Sequence, residues 1–274
     1  MIHIICAMKC EARPLQHHFQ LKHVKKAELF YTCLNEARGI SLTISGIGKQ
    51  ASIAATMHTR MLLDAKSSDA WINIGVAGHK TLAIGQLVLA NRIEDASNGQ
   101  IWYPQIIFKS KLSCTGLLTL DKALNSYDEI MYDMEGSGFF ATASRFATAE
   151  LIHCLKIISD NQAIPVQQLA EKFVSELIAD KTAEINALFE QIQALSSRLE
   201  SVTSVPQHYK QCLQQWHFTQ YQKGILQRLL RRWQTLRPDE SLFEAKLTKI
   251  RRANDILTYL EDELDKISLS PKAD

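Results

Sequence analysis

Met-Tyr-Asp-Met-Glu-Gly-Ser-Gly-Phe-Phe (131–140) and His-Cys-Leu-Lys-Ile-Ile-Ser-Asp-Asn (153–161) flank a run of small residues, and this stretch decides how the chain is read. The first part reads as a strand end that delivers Glu135 into a glycine turn. A helix follows, with Phe139, Ala143 and Phe146 at the three- and four-residue steps of a buried face. The second strand is apolar from Cys154 through Ile158 and ends on Ser159 and Asp160. Two acids at the mouths of strands joined by a helix stand where open α/β sheets hold their ligands. Strand-end acids also cap the helices that follow them, and from these residues alone the two readings are equal.

Upstream, Ile2 to Ala7 reads as a buried first strand, and a helix starts at Met8-Lys9-Cys10-Glu11. Pro14 suits that helix only near its start. A β-pair is expected at 27–33 and 40–44. Ser-Gly-Ile-Gly-Lys (45–49) then leads into an alanine-rich helix from Gln50 to about Leu63. Glycines at such a turn let backbone approach an anion or a sugar, although a plain tight turn explains Gly46 and Gly48 equally well. The spacing is neither a Walker loop nor a dinucleotide fingerprint. Strands are expected at 70–78, 85–90 and 101–108, and 112–117 leads on toward the opening stretch, so strands and helices alternate, as in a mixed or parallel sheet covered on both faces.

Pro165 begins a different region, without Gly or Pro until Pro206. An unbroken helix of that length would reach roughly 50 Å. Ile178, Ile185, Ile192 and Leu199 recur every seven residues, beside Leu188 and Leu195. Phe243, Ile250, Leu257 and Leu264 do the same, joined by Ala253, Leu260 and Ile267. Such seams predict a coiled coil or slim bundle. Pro206 and Pro238 bracket the segment Tyr209–Trp233, so residues 201–274 read as two helices folding back as a hairpin on the long one. Arg228, Arg231, Arg232, Arg237, Lys246, Lys249, Arg251 and Arg252 make the tail basic. A solvated helix face is the favoured account, and a nucleic-acid or protein partner is the sharper one.

The 274 residues carry a formal net charge of +2, which implies no global attraction to nucleic acid or membrane. No apolar run reaches the ~18–20 residues of a bilayer span, and the N-terminus does not read as a signal peptide, so a cytoplasmic protein is expected. The six cysteines read as buried or half-buried reduced thiols, and neither they nor the histidines show a zinc-site spacing. No metal is indicated.

Taken in order, Glu11, Ser-Gly-Ile-Gly-Lys (45–49), Asn-Ile-Gly-Val-Ala-Gly (73–78), Gly-Gln-Leu-Val-Leu-Ala (85–90), Asp-Met-Glu-Gly (133–136) and Ser-Asp-Asn (159–161) resemble the nucleoside phosphorylase superfamily. The resemblance is nearest to its methylthioadenosine/S-adenosylhomocysteine nucleosidase branch. It implies a three-layer α/β domain with a central mixed sheet over residues 1–200, followed by an all-helical extension over 201–274. It also implies cleavage of an N-glycosidic bond in a purine nucleoside or modified adenosine, with no cofactor. Glu135 would receive the ribose hydroxyls, with Met134 against the sugar and base. Asp160, positioned by Ser159, would protonate the purine at N7, and Glu11 would activate water. The glycine turns, Gly46, Gly48, Gly75, Val76 and Ala77, would line the substrate. The family's habit and the helical seams together imply a homodimer. Such carboxylates suit an oxocarbenium-like transition state.

The chain departs from the pattern in three places. Asn73 stands where the phosphate-using branch has an arginine, and Val76 where it has a serine. Both changes favour hydrolysis over phosphorolysis and leave Lys49 and Arg92 as the candidate phosphate cations. The segment from Asp95 to Asp133 is shorter than in the nucleosidases, and Leu117, Leu118 and Phe139 are the candidates to wall the base pocket in its place. A phosphorylase, or a non-catalytic scaffold that senses a nucleotide or serves a partner through the tail, are the alternatives.

Overall fold

A computed structural model of the chain describes residues 1–122, 128–163, 170–203, 205–236 and 250–268. It divides into two compact units, Met1–Leu199 and Glu200–Asp274.

The first unit runs β1 (Ile2–Cys6), α1 (Lys9–His18), β2 (Lys22–His23), β3 (Thr32–Asn35), β4 (Ile40–Ile44), α2 (Lys49–Leu62), β5 (Ala70–Gly78), β6 (Leu87–Asp95), β7 (Ile101–Trp102), β8 (Ser113–Thr119), β9 (Met131–Asp133), α3 (Gly136–Ala143) and β10 (Ile152–Asp160). The long helix α4 (Glu171–Thr203) follows. One mixed sheet joins all ten strands. Its pivot is β5, which lies parallel to β1 on one edge and to β10 on the other, with Gly78 also meeting Tyr132 of β9. From β10 the pairing continues through β6 and β8 to β9, so five strands close on themselves, while β1, β4, β3 and β2 extend the sheet outward.

Strand side chains alternate between two buried layers, as the two-residue period demands. Ile2, Ile4, Ile72, Ile74, Leu155 and Ile157 face one layer, which Leu15 of α1 and Ile178, Ile185, Leu188 and Ile192 of α4 complete. Ile5, Trp71, Val88, Cys154 and Ile158 face the other, against Phe139, Phe140 and Ala143 of α3. This is the expected three-layer α/β architecture with a central mixed sheet.

Several local expectations are corrected. The first member of the outer pair begins at Thr32, because backbone from Val24 to Ala27 forms a turn instead. The strand expected at 101–108 is only Ile101–Trp102, and Ile106 and Phe108 turn in to pack on the core. Pro14 lies within α1, past its first turn. Cys114 is exposed, while the other five thiols are buried.

The heptad seam of α4 is no coiled coil, since its isoleucines are spent on the sheet. A helix over a sheet buries a stripe at the same spacing as a helix over a helix, so the pattern alone does not name the partner. Pro165, the proposed helix start, lies outside the described residues, and the helix is seen from Glu171.

The second unit holds α5 (Tyr209–Gln215), α6 (Gln220–Leu236) and α7 (Ala253–Ser268). These share one apolar core built on Trp216, Phe218, Leu226, Leu230, Ile256 and Leu260. Residues 209–233 form two helices where one segment was expected. Trp216 leaves the helix in an extended conformation, and its indole donates to the Ile250 carbonyl at 2.9 Å. Thr219 and Gln222 then exchange side-chain and backbone hydrogen bonds, a capping box that starts α6. Within the second seam, Leu257 and Leu264 serve this local core, while Phe243, Pro238, Arg237, Lys246, Lys249 and the Ile267 side chain lie outside the described residues.

The cations of α6 (Lys223, Arg228, Arg231, Arg232) meet an acidic neighbour in the fold. Helix α7 carries Asp255, Glu261, Asp262, Glu263 and Asp265, and Arg232 pairs with Asp265 at 3.6 Å. Among the described residues, no helix is long and apolar enough to cross a membrane.

The glycines of the 136–138 turn are packing residues. A Cβ on Gly138 would lie 2.6 Å from the Lys49 carbonyl oxygen, so α3 crosses the start of α2 at a distance that only glycine permits. Gly138→Ala should therefore lower stability by about 1–3 kcal/mol in urea unfolding. Gly224→Ala, where a Cβ meets open space on α6, should instead gain up to about 1 kcal/mol of helix stability.

Candidate active site

The site forms at the carboxyl ends of β1, β4, β5 and β10. After β1, the chain turns at Ala7 and Met8, and Glu11 in the first turn of α1 folds back over it. Glu11 Oε2 accepts the amides of Ala7 and Met8 at 3.0 and 2.9 Å, and its Oε1 accepts the Val76 amide at 3.0 Å. The carboxylate can reach Val76 because Gly75 has no side chain, since a Cβ there would sit 2.7 Å from Glu11 Oε1. Burial pushes the Glu11 carboxyl above its ordinary value, and the three backbone donors and Lys156 work against that rise.

Glu135 occupies the N-cap position of α3 but makes no cap bond there. Asp133 does that job, taking the Gly136 amide on Oδ2 at 2.7 Å. Glu135 instead accepts the Gly48 amide at 2.8 Å, 87 residues away in the chain. The capping reading therefore fails for Glu135, and the turn at 45–49 gains a role. Gly46 and Gly48 both have positive φ, +85° and +103°, which aims the Gly48 N–H at that carboxylate. Burial first, then the neighbouring Asp133, raise the Glu135 carboxyl to about 7.

Asp160 ends β10 in register with Gly78. It is buried, and its Oδ1 accepts the Ser159 hydroxyl at 2.5 Å. Ser159 also reaches the Ala77 carbonyl at 3.5 Å. Met134 is half-buried between the two acids of its turn. Glu11, Gly75, Val76, Gly48 and Glu135 thus form one connected set, and Asp160 with Ser159 and Ala77 stands on the adjoining strand ends. A cavity of about 410 Å³, lined by Ile47, Gly48, Lys49, Ser97, Leu120 and Asp121, adjoins the Gly48 end of this set.

The candidate phosphate cations are otherwise engaged. Lys49 Nζ lies 2.8 Å from both Asp95 and Asp121 and donates to Ser97. Asp95 also accepts the Ser137 hydroxyl at 3.0 Å. Despite its burial, these bonds hold the Asp95 carboxyl down to about 2. Arg92 pairs with Glu94. Asn73 is a structural residue whose amide donates to the Ile5 carbonyl at 3.1 Å. Leu117 and Phe139, two of the proposed wall residues, are fully buried in the core and are not free to line a pocket, while Leu118 is half-buried.

Sequence reasoning missed Lys156 and Asp133. Lys156 is 1% exposed, yet its ammonium lies 2.8 Å from Asp133 Oδ2. The signal was visible as a single lysine in the run Cys154–Ile158, because a lysine is almost never fully buried unless paired.

No family model matches the chain, and no curated protein matches it. Solved structures do match over about 70% of the chain, among them nucleosidases and a futalosine hydrolase. Arabidopsis thaliana 5'-methylthioadenosine nucleosidase matches with a TM-score of 0.57 and 17% identity, over 70% of this chain and 95% of that one. The Campylobacter jejuni 5'-methylthioadenosine/S-adenosylhomocysteine nucleosidase matches with a TM-score of 0.54 and 17% identity, over 69% and 98%. Helicobacter pylori futalosine hydrolase gives 0.53 and 16%, over 69% and 98%. The fold of the first unit is the fold these proteins share.

The raised Glu135 carboxyl has a stability signature. A group whose folded pKa exceeds its unfolded value adds stability fully below the unfolded pKa and loses it as pH rises through the folded one. For Glu135 that window runs from its ordinary 4.5 up to about 7. Glu135→Gln keeps the acceptor for Gly48 and removes the charge. Across pH 5 to 8, urea unfolding should show the variant gaining on the wild type, by at most about 3 kcal/mol at the alkaline end.

Proposed function

We propose that the first unit hydrolyses the N-glycosidic bond of a purine nucleoside or modified adenosine, with water as the nucleophile. The observation that carries this reading is the convergence of two buried carboxylates, Glu11 and Glu135, held by backbone amides from the ends of β1, β4 and β5.

Each residue has a definite task in this reaction. Glu135 accepts the ribose hydroxyls and places negative charge near the anomeric carbon, where positive charge develops. Glu11 takes the proton of the attacking water, and burial raises its carboxyl above the ordinary value, in the direction that strengthens a general base. Asp160, with Ser159 bonded to it, donates toward the purine so that the base leaves neutral. Met134 packs against the sugar and base. The glycosidic bond breaks, the electron pair goes to the purine, and the water oxygen bonds the anomeric carbon to give free ribose. Hydrolysis is favoured over phosphorolysis because Lys49 and Arg92 are both committed to carboxylates.

Purified protein assayed against 5'-methylthioadenosine, S-adenosylhomocysteine, adenosine and inosine should release a free base with the corresponding free sugar (ribose or its 5-thio-substituted form) rather than the sugar 1-phosphate, whether or not phosphate is present. Glu11→Gln and Asp160→Asn should each lower kcat by about 10²-fold or more. A cleavage rate untouched by both variants sinks the assignment of these carboxylates.

A homodimer belongs to the same reading. Ile53, Met57 and Met61 form an exposed stripe along α2 at four-residue steps, with Met61 77% exposed. That stripe suits a second copy of the chain. Light scattering should report a dimer, and Met57→Glu/Met61→Glu should return a monomer. Unchanged mass in the double variant would remove this face from consideration.

A further inference from the structure

We infer that the buried Lys156–Asp133 pair is a positioning device that sets the charge state of Glu135, the residue proposed above to receive the ribose hydroxyls.

The inference starts from β10. Leu155 and Ile157 face the α1/α4 layer, so Lys156 points to the other side of the sheet, with Cys154 and Ile158. In the parallel pair with β5, Lys156 stands directly opposite Gly75. Gly75 is also the residue whose missing side chain admits Glu11. An unpaired ammonium in such a layer would cost several kcal/mol, on the order expected for a buried ion. Asp133 compensates for it, and Asp133 is itself filled with donors. Its Oδ2 takes Lys156 and the Gly136 amide, and its Oδ1 takes the Thr119 hydroxyl at 2.7 Å, which in turn accepts the Ser137 amide at 2.9 Å. The pair is therefore anchored to β8 and to the first turn of α3, the turn that carries Glu135.

The groups facing Glu135 come from every neighbouring element. Asp133 of β9, Lys156 of β10 and Glu11 of α1 are the titratable ones, with the Cys154 and Cys6 thiols beside Lys156, and the Gly48 amide at the start of α2 is the fixed dipole. Burial, Asp133 and Glu11 all favour the protonated acid. Among these groups, Lys156 is the only full positive charge. Burial opposes the charge on Lys156, but Asp133 and Glu135 together hold its pKa above the ordinary lysine value. Two opposed charges on neighbouring elements therefore bracket one carboxylate. Losing either should move Glu135 in the opposite direction from losing the other, which a purely structural ion pair would not do.

The test does not depend on turnover. Carbon-13 NMR of the glutamate carboxyl carbons, with the Glu135 signal identified by its loss in Glu135→Gln, gives its titration midpoint in the substrate-free protein. Lys156→Met should raise that midpoint by a pH unit or more, a tenfold change in proton affinity, on the order seen for loss of an adjacent charge. Asp133→Asn should lower it, and the double variant Lys156→Met/Asp133→Asn should return it toward the wild-type value. Lys156→Arg, which keeps the cation, should leave it unchanged. If Lys156→Met alone fails to fold, Asp133→Asn still decides the matter, because its midpoint should fall below the wild-type value and the double variant should reverse that fall. A Glu135 midpoint that stays fixed in Asp133→Asn and in the folded lysine variants overturns the inference. Absence of nucleoside cleavage in the wild type would instead defeat the functional reading and leave the titration result standing.

Discussion

The arrangement depends on a missing side chain. Gly75 sits inside the central strand, and its bare Cα lets the Glu11 carboxylate reach the Val76 amide. Through that bond, the first helix, the first strand and the central strand are fixed on one carboxylate. Across the strand pair Gly75 is in register with Lys156, which bonds Asp133 beside the second acid of the site. Strand β5 can play this part because it is hydrogen-bonded on both edges, by β1 and by β10, and has no freedom to shift its register. The site is rigid on the side where the carboxylates are rooted.

Much of this was legible in the sequence, for an identifiable reason. Strands covered on both faces read as near-continuous apolar runs, and 2–7, 70–78 and 154–158 have that form. Glu11, Glu135 and Asp160 end or follow such runs, so their position at one edge of the sheet could be inferred without coordinates. What the residues could not tell was whether Glu135 caps its own helix. That question was settled by Gly48, far away in the chain, and by Asp133, which does the capping. Lys156 was overlooked because a single charge in an apolar strand looks like noise until its partner is known, and the partner lies 23 residues upstream in another strand.

The helical regions were harder for a physical reason. A seven-residue apolar repeat states that one face is buried and is silent about the surface that buries it. In α4 that surface is a β-sheet, and in α7 it is a pair of short helices. The basic run of α6 was similarly ambiguous. In isolation it reads as a solvated face or, more sharply, a docking face, but α7 presents a row of acids, and the two helices share a core. The break at 216–219 carries no glycine or proline. It is encoded in a tryptophan that needs a partner for its N–H and in a threonine and glutamine that cap the next helix.

The crossing of α2 and α3 at Gly138 has a consequence for how such a site can change over time. With Lys49 backbone already in contact, α3 has no room to slide toward α2, and moving it away would break the Gly48 bond to Glu135. Glu135 therefore cannot be repositioned by small adjustments of these two helices. The stretch after Asp95 is held differently, with Trp102 and Phe108 leaning into different layers of the core. A scaffold of this kind admits sequence change there more readily than at the helix crossing.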